Sequence, residues 1–332
     1  MRKNMNVMYA ADENYAEIMA VSIKSMMLTN KWEKIHFYLV EDGISDENKK
    51  KLTEMITGDG NEVSFIAKPD IRGILGVELK TLRWSDSAYS RLFLKELFGR
   101  ETKIEKILYM DCDTLIVDSL EELWNTDVSD ALGAACLECM SNMHKKIIGA
   151  MPKDNYINTG MLLLNVKRWI AEDIQKTEAD FIRKYHGKTE YVDQGVINGT
   201  VSNRFILVNP RYNMTALGYD FTYEEMQIYR KPSFGYSREE WNTAVEAPAV
   251  VHFTTSFLSV RPWYEGSKHP YATEWKKVHD MTPWENNPYR KLKNRKQRDK
   301  KETLYRKFPR IIAVRGAGFL HAYVKPIVYK LQ

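Results

Sequence analysis

The stretch Lys103 to Leu115 reads KIEKILYMDCDTL, and the rest of the chain is arranged around it. Four apolar or aromatic residues, Ile107, Leu108, Tyr109 and Met110, run straight into Asp111, Cys112 and Asp113. Such a run fits a strand buried on both faces that ends in two acids. Alternation along a strand sends Asp111 and Asp113 to one side and Cys112 to the other. Two carboxylates pointing together repel each other and resist desolvation, so a cation belongs between them. Hard oxygen ligands of this kind suit Mn²⁺ or Mg²⁺, with a phosphate group as a further ligand. The simplest competing reading is a solvated turn after a strand.

Upstream, Met5 to Ala10 is a short apolar strand, followed by the polar turn Ala11 to Tyr15. Tyr15 to Leu28 places Ile18, Met19, Ser22, Ile23 and Met26 at helical spacing, which predicts a helix with one buried face. Ile35 to Val40 and Val63 to Ala67 are further strands around a charged-faced helix at Ser45 to Ile56. Strands alternating with helices predict an α/β fold with a mixed, mostly parallel sheet flanked by helices, and ligands beyond the carboxyl ends of the strands. No Gly-x-Gly-x-x-Gly follows the first strand and no Gly-Lys-Ser or Gly-Lys-Thr occurs, so a dinucleotide loop and a P-loop are unsupported. A bound diphosphate would need neutralising by other means, and a metal at Asp111 and Asp113 would serve.

At 332 residues, 44% hydrophobic and 28% charged, the chain has the composition of an ordinary globular protein with a large core. The N-terminus lacks the apolar core of a signal peptide, and no window of about 18 uninterrupted apolar residues suggests a spanning helix. A cytoplasmic protein is therefore expected. Three cysteines make no disulfide framework, and the Cys136–Cys139 pair lacks the second half of a zinc site, so buried thiols are expected. Asn198-Gly-Thr200 and Asn213-Met-Thr215 match the glycosylation sequon but carry no weight without an export signal.

Past the aspartates, Ser119 to Glu122 has the form of a capping box, and Leu132 to Leu137 is a strand that delivers Glu138. Before them, Ser87 to Phe98 reads as one helix carrying Arg91. Asn158-Thr159-Gly160 reads as a turn whose amide and hydroxyl suit a polar ligand, ahead of a buried strand at Met161 to Val166. Asp193 and Gln194 open a short helix, where an acid is commonly just a cap. Ala249 to Phe253 is a last short strand delivering His252, which with two aspartates would complete a three-residue metal set.

Two families share parts of this pattern. The apolar run into Asp-x-Asp-x-Thr resembles the nucleophile loop of haloacid dehalogenase-like phosphatases, with Asp111 as nucleophile. That family normally has its aspartates after the first strand and a further acidic pair downstream, and neither holds here. The sequence as a whole resembles glycosyltransferase family 8, the retaining sugar-nucleotide transferases that include bacterial lipopolysaccharide α-galactosyl- and α-glucosyltransferases and glycogenin. The resemblance covers roughly Met5 to Trp263 and rests on motifs in the family order: AADENY (10–15), YSRLFL (89–94), LYMDCDTLIVDSLEELW (108–124), GAACLE (133–138), YINTGMLLLNVKRW (156–169), YVDQGVIN (191–198) and VVHF (250–253).

The resemblance implies a GT-A fold over residues 1–285 and a hexosyltransferase that moves glucose or galactose from UDP-glucose or UDP-galactose to a saccharide or glycolipid acceptor. It implies Mn²⁺ (or Mg²⁺) held by Asp111, Asp113 and His252. Ala11, Asp12, Asn14 and Tyr15 resemble the uridine site. Arg91, Asp111, Cys112, Asn158, Thr159, Asp193 and Gln194 fall in the motifs around the donor sugar, and Glu138 sits where the family has an acid near the acceptor. Gln194 is the family's usual candidate for a nucleophile or for electrostatic support of front-face attack, with Asp193 orienting the sugar hydroxyls. One departure stands out: the family often follows its His with Gly-x-x-Lys-Pro-Trp, whereas this chain has HFTTSFLSVRPW. Arg261 takes the cationic position, and a guanidinium binds phosphate in bidentate fashion.

From Arg290 to Arg310 eleven Lys or Arg face two acids, a net +9 that leaves the rest of a chain of net +5 mildly acidic. The apolar, aromatic segment IIAVRGAGFLHAYVKPIVYKL follows. Residues 286–332 thus read as a basic amphipathic helical tail suited to an anionic membrane surface, the inner face of the cell membrane. A solvated charge run is the simpler alternative, and no nucleic-acid-binding fold accompanies it. Removal of 290–332 is expected to leave activity on soluble acceptors. A metal-organised, non-enzymatic scaffold held at the membrane is the reading from another class, and UDP-sugar hydrolysis would separate the two.

Overall fold

Among the described residues ten strands carry the fold, and the reversal of one of them shapes the site. The computed structural model describes residues 4–81, 85–293 and 295–331. In chain order the strands are β1 (Met5–Asp12), β2 (Ile35–Asp42), β3 (Glu62–Ala67), β4 (Lys106–Met110), β5 (Thr114–Ile116), β6 (Gly133–Leu137), β7 (Ile157–Asn165), β8 (Phe205–Val208), β9 (Met214–Thr215) and β10 (Val250–His252). Seven form one sheet in the order β3-β2-β1-β4-β7-β6-β8. All its neighbours are parallel except β7, which runs antiparallel to both β4 and β6. Because β7 is reversed, it begins at the edge where β1, β4 and β6 end. Asp111 N accordingly donates to Gly160 O (2.8 Å), and Glu138 N to Tyr156 O (2.7 Å).

The apolar run before Asp111 is buried on both faces, as its lack of alternation predicts. Leu108 and Met110 join Val7, Tyr9, Ala134 and Leu163 on the face covered by α1 (Ala16–Thr29), while Ile107 and Tyr109 join Met8, Leu162 and Trp169 on the other. Each of the four β4 side chains is at most 1% exposed, and burial of such a residue contributes roughly 1.5–3 kcal/mol. The second helix, α2 (Asp46–Gly58), starts where Ser45 Oγ accepts from Asn48 N.

A three-stranded sheet, β5-β10-β9, lies beyond the end of β4. Its register pairs His252 with Thr114 and with Thr215, and Phe253 N donates to Asp113 O (2.8 Å). This pairing brings the late histidine to the aspartates.

Four local expectations change. Ser87 to Phe98 is not one helix: a tight 3₁₀ stretch over Asp86–Leu92 meets a short α-helix, Leu94–Phe98, at Phe93. Arg91 Nε takes the Ala88 carbonyl, the group a continuous α-helix would give to residue 92. Asn158-Thr159-Gly160 is no turn but the interior of β7, because Gly160 and Met161 pair with the end of β4. The capping box at Ser119 does not form; Leu120 is drawn into the core with its N–H on Asn30 Oδ1 (2.7 Å), and the helix starts at Glu121. β4 stops at Met110, so Asp111 and Asp113 sit in the bend between β4 and β5 rather than on a strand.

The C-terminal region packs against the domain. Arg290 N donates to Trp263 O and its guanidinium lies 3.0 Å from Glu17. After a helix at Arg295–Arg306, the chain runs as one helix from Arg310 to Leu331, α-helical except for a π turn at Leu320–Val324. Val314, Gly318 and Ala322 are buried, and Arg310 donates twice to Glu225 at 2.7 Å. A Cβ at Gly318 would fall 2.5 Å from Ile228 O, so glycine permits this close approach to the helix Tyr223–Arg230. No spanning helix was expected from uninterrupted apolar windows, yet Arg310–Lys330 is long and apolar enough to cross a membrane by length and composition.

Candidate active site

The bend after β4 projects the two carboxylates to one side, with Cys112 turned back so that its Sγ donates to Ala10 O (3.3 Å). One ligand atom from each of Asp111, Asp113 and His252 lies within 4.8 Å of the others. His252 Nε2 is 3.2 Å from Asp113 Oδ1 and 3.6 Å from Asp111 Oδ2. The other ring nitrogen, Nδ1, donates to Asn213 Oδ1 (2.8 Å), and Asn213 Nδ2 donates to Asn158 Oδ1 (2.8 Å). That second bond fixes which way the Asn213 amide faces, which fixes the imidazole tautomer and leaves the Nε2 lone pair toward the two aspartates. Two carboxylates and an oriented imidazole suit a divalent cation such as Mn²⁺ or Mg²⁺, so the donor set fits the metal the fold family implies.

Gly160 makes room for this ring. A Cβ there would lie 2.2 Å from His252 Cε1. Asp113 also meets Arg261, whose Nη2 is 2.8 Å from Oδ2. Burial alone would push the Asp113 carboxyl upward, but Arg261 and His252 outweigh it and hold it down at about 2. Arg261 also donates to Phe253 O (2.8 Å) and Tyr15 Oη (3.1 Å), so it bridges the metal cluster and the β1 turn.

Arg91 does point back at the acids. It is 4% exposed, lies 2.8 Å from Asp111 Oδ1 and 3.2 Å from Asp193 Oδ2, and donates to Thr159 O and Tyr109 Oη. Its guanidinium sits 3.8 Å from the centre of the Tyr109 ring. Asp193 is not a helix cap: Val192 holds that position, with φ +59°, and Asp193 faces Arg91 instead. Burial raises the Asp193 carboxyl to about 6 against the pull of Arg91. Gln194, the next residue, accepts from Thr159 N through its side-chain oxygen (3.4 Å). Glu138 accepts from Asn158 Nδ2 (2.8 Å) and pairs with Arg230 (3.1 Å).

These groups open on one cavity of about 450 Å³. Ala11, Asp12, Tyr15, Arg91, Asp111, Cys112, Asp113, Glu138, Asn158, Thr159, Asp193, Gln194, His252 and Arg261 all line it. Asn14 is not among the lining residues; it is exposed, and its amide turns to Asp12 Oδ2 (3.4 Å). Asp12 also caps the short 3₁₀ turn by accepting from Tyr15 N (3.2 Å). From Met214 to Glu246, Leu217, Phe221, Tyr229 and Arg230 reach the cavity, and from the terminal helix so do His321 and Lys325. The terminal segment, expected only to meet a membrane, thus supplies two lining residues.

Sequence reasoning missed Tyr109, Arg230, His321 and the role of Asn213. Tyr109 was visible only as part of an apolar run. Asn213 was visible only as a sequon residue, yet it is 5% exposed and holds the histidine.

Two acids in the bend beyond the end of β4 of a mixed sheet, met by a histidine from the second sheet and bordered by a cavity, make up the arrangement of a GT-A fold. The profile of glycosyl transferase family 8 matches residues 6–266, and the chain belongs to that family. General stress protein A of Bacillus subtilis is 26% identical over 289 residues, covering 86% of this chain and 96% of its own. A lipopolysaccharide 1,2-glucosyltransferase of Escherichia coli is 24% identical over 320 residues, 92% of this chain and 87% of its own. Among solved structures, the galactosyltransferase LgtC in complex with donor and acceptor sugar analogues superposes with a TM-score of 0.71 at 26% identity, over 85% of this chain and 99% of that one.

Proposed function

We propose that the protein is a metal-dependent, retaining hexosyltransferase that moves glucose or galactose from a UDP-sugar to a saccharide or glycolipid acceptor in the synthesis of cell-surface polysaccharide of lipopolysaccharide type. The observation that carries this reading is the Asp111–Asp113–His252 cluster, with its imidazole nitrogen oriented by Asn213, at the edge of the cavity. Mn²⁺ or Mg²⁺ held there supplies a Lewis acid for the diphosphate oxygens.

The chain's own residues have separate tasks. Arg261, beside Asp113, neutralises charge that gathers on the departing β-phosphate. Asp12 and Tyr15 take the uridine end, where Tyr15 is tied to Arg261. Arg91 and Asp193 orient the sugar hydroxyls, and Gln194 presents its side-chain oxygen to the anomeric carbon as positive charge develops on the sugar. Glu138 faces the acceptor side, and Asn158, which donates to it, borders the donor sugar.

We place the protein at the inner face of the cell membrane. Ile311, Ile312, Phe319, Leu320, Tyr323, Ile327 and Val328 form an exposed apolar side of the terminal helix, next to the basic helix Arg295–Arg306. A helix packed lengthwise on the domain through Val314, Gly318 and Ala322 favours lying in the interface over crossing it.

A screen of UDP-sugars with Mn²⁺, reading UDP release and transfer to simple glycosides, tests the reading. Hydrolysis of UDP-glucose or UDP-galactose that stops on chelation is expected; no release from any UDP-sugar overturns it. NMR of the first-formed product should show the anomer of the donor, and the opposite anomer would refute retention.

A further inference from the structure

The inner face of the terminal helix is anchored where the helix widens into its π turn, a feature that recurs at functional sites. Ser141 Oγ donates to Ala322 O (2.9 Å), and His144 Nε2 donates to His321 O (3.0 Å). His144 is itself held 2.7 Å from Glu190, just ahead of Asp193 and Gln194. The terminal helix is therefore pinned, through two buried side chains, to the segment that carries the donor-sugar residues.

His321 ends a chain of contacts that leaves the metal cluster. Asn158 donates to Glu138, Glu138 pairs with Arg230, and Arg230 Nη1 donates to His321 Nε2 (3.1 Å). A guanidinium only donates, so Nε2 carries the lone pair and Nδ1 carries the hydrogen. His321 Nδ1 and Arg230 Nε are then two buried N–H donors with no hydrogen-bond partner among the described residues, and both residues line the cavity. Each nitrogen is closed off as the side chains stand, but both residues line the cavity, so a small turn of either toward it offers an unpaired N–H to a ligand oxygen. The Tyr229 ring, 4.9 Å from the His321 ring, adds an aromatic wall of the kind that accepts a sugar face.

We propose that the terminal helix is part of the acceptor subsite, with His321 Nδ1–H and Arg230 Nε–H donating to hydroxyl or ring oxygens of the acceptor saccharide. This rests on the hexosyltransferase reading and deepens it. The helix lies beyond residue 266, where the family match ends. The same helix turns its apolar side outward, which sets the acceptor subsite directly beneath the surface that meets lipid.

The test uses the full-length enzyme with the UDP-sugar and the methyl hexoside on which the wild type turns over fastest. His321→Phe, which keeps a ring and removes both nitrogens, should raise the acceptor KM at least tenfold and move the donor KM less than twofold. His321→Asn, whose amide nitrogen replaces Nδ1, should restore the acceptor KM to within about threefold of wild type. An unchanged acceptor KM in His321→Phe, equal losses in both variants, or parallel shifts in donor and acceptor KM would overturn the proposal. Absence of UDP-sugar hydrolysis in the wild type would remove the hexosyltransferase reading itself, a result separate from any of these.

Discussion

Arg91 touches both Asp111, at 2.8 Å, and Asp193, at 3.2 Å, so a single buried cation ties the bend after β4 to the helix that carries Gln194. Removing one partner of a buried charge cluster leaves the others uncompensated and costs about 3–5 kcal/mol. Arg91→Met is expected to lose stability of that order in chemical denaturation. Arg91→Lys keeps the charge without the planar fork, and we expect it to fold yet lose about a hundredfold in UDP-sugar hydrolysis. Full hydrolysis by Arg91→Lys would show that fork geometry is immaterial.

Asp113 stands between His252 and Arg261. Asp113→Asn should abolish transfer and hydrolysis together and remove Mn²⁺ binding in calorimetry, because a neutral amide is a far weaker ligand for a hard cation. Wild-type activity in a chelated assay would contradict the metal's role outright.

Gly160 is a spacing residue whose effect should appear only at the metal. With a Cβ 2.2 Å from His252 Cε1, Gly160→Ala must displace the ring, since β7 is paired on both sides and has little freedom to move. Mn²⁺ affinity is expected to fall at least tenfold. Unaltered affinity would mean that the imidazole is not a ligand.

Asp193 carries a pH signature. Its folded carboxyl is raised to about 6 from an ordinary 3.8, so the folded state holds this proton more tightly than the unfolded chain. Its stabilising contribution is complete below the unfolded value and is lost as pH rises through the folded one; at pH 8 the ionised group costs about 3 kcal/mol. Asp193→Asn should therefore compare more favourably with wild type at pH 8 than at pH 4, while losing hydrolysis. Denaturant titrations at the two pH values check the sign, and a gap of equal size at both would count against it.

What was legible in the sequence was what one strand dictates by itself. Ile107 to Met110 had to be buried on both faces, and the acids after them had to end at a strand edge. The family motifs then pointed to His252, but its position depends on the pairing of β10 with β5, and its tautomer depends on Asn213, five residues past the end of β8 and outside those motifs. Turn chemistry misled at Asn158, because pairing of Gly160 and Met161 with the end of β4 overrides the local preference of Asn-Thr-Gly. Arg230 and His321 carried no signal, since their meaning comes from the docking of two helices whose residues stand 91 positions apart.

The outward side of that helix yields the last prediction. Ile312, Phe319 and Leu320 are 55%, 57% and 58% exposed, and Ile327 is 47% exposed. Such a stripe beside a basic helix should enter the boundary of an anionic bilayer, each Ile, Leu or Phe contributing up to about 1.5–3 kcal/mol if fully buried and each nearby basic residue about 1 kcal/mol. Replacing the four by Ser should weaken sedimentation with phosphatidylglycerol vesicles at least a hundredfold and leave the fold intact, because none of the four is buried. Raising salt should weaken the wild type as well, since the basic contribution is screened within about 8 Å at physiological ionic strength. Vesicle binding that survives both the substitutions and the salt would remove the membrane from the account and leave the terminal helix only its inner role.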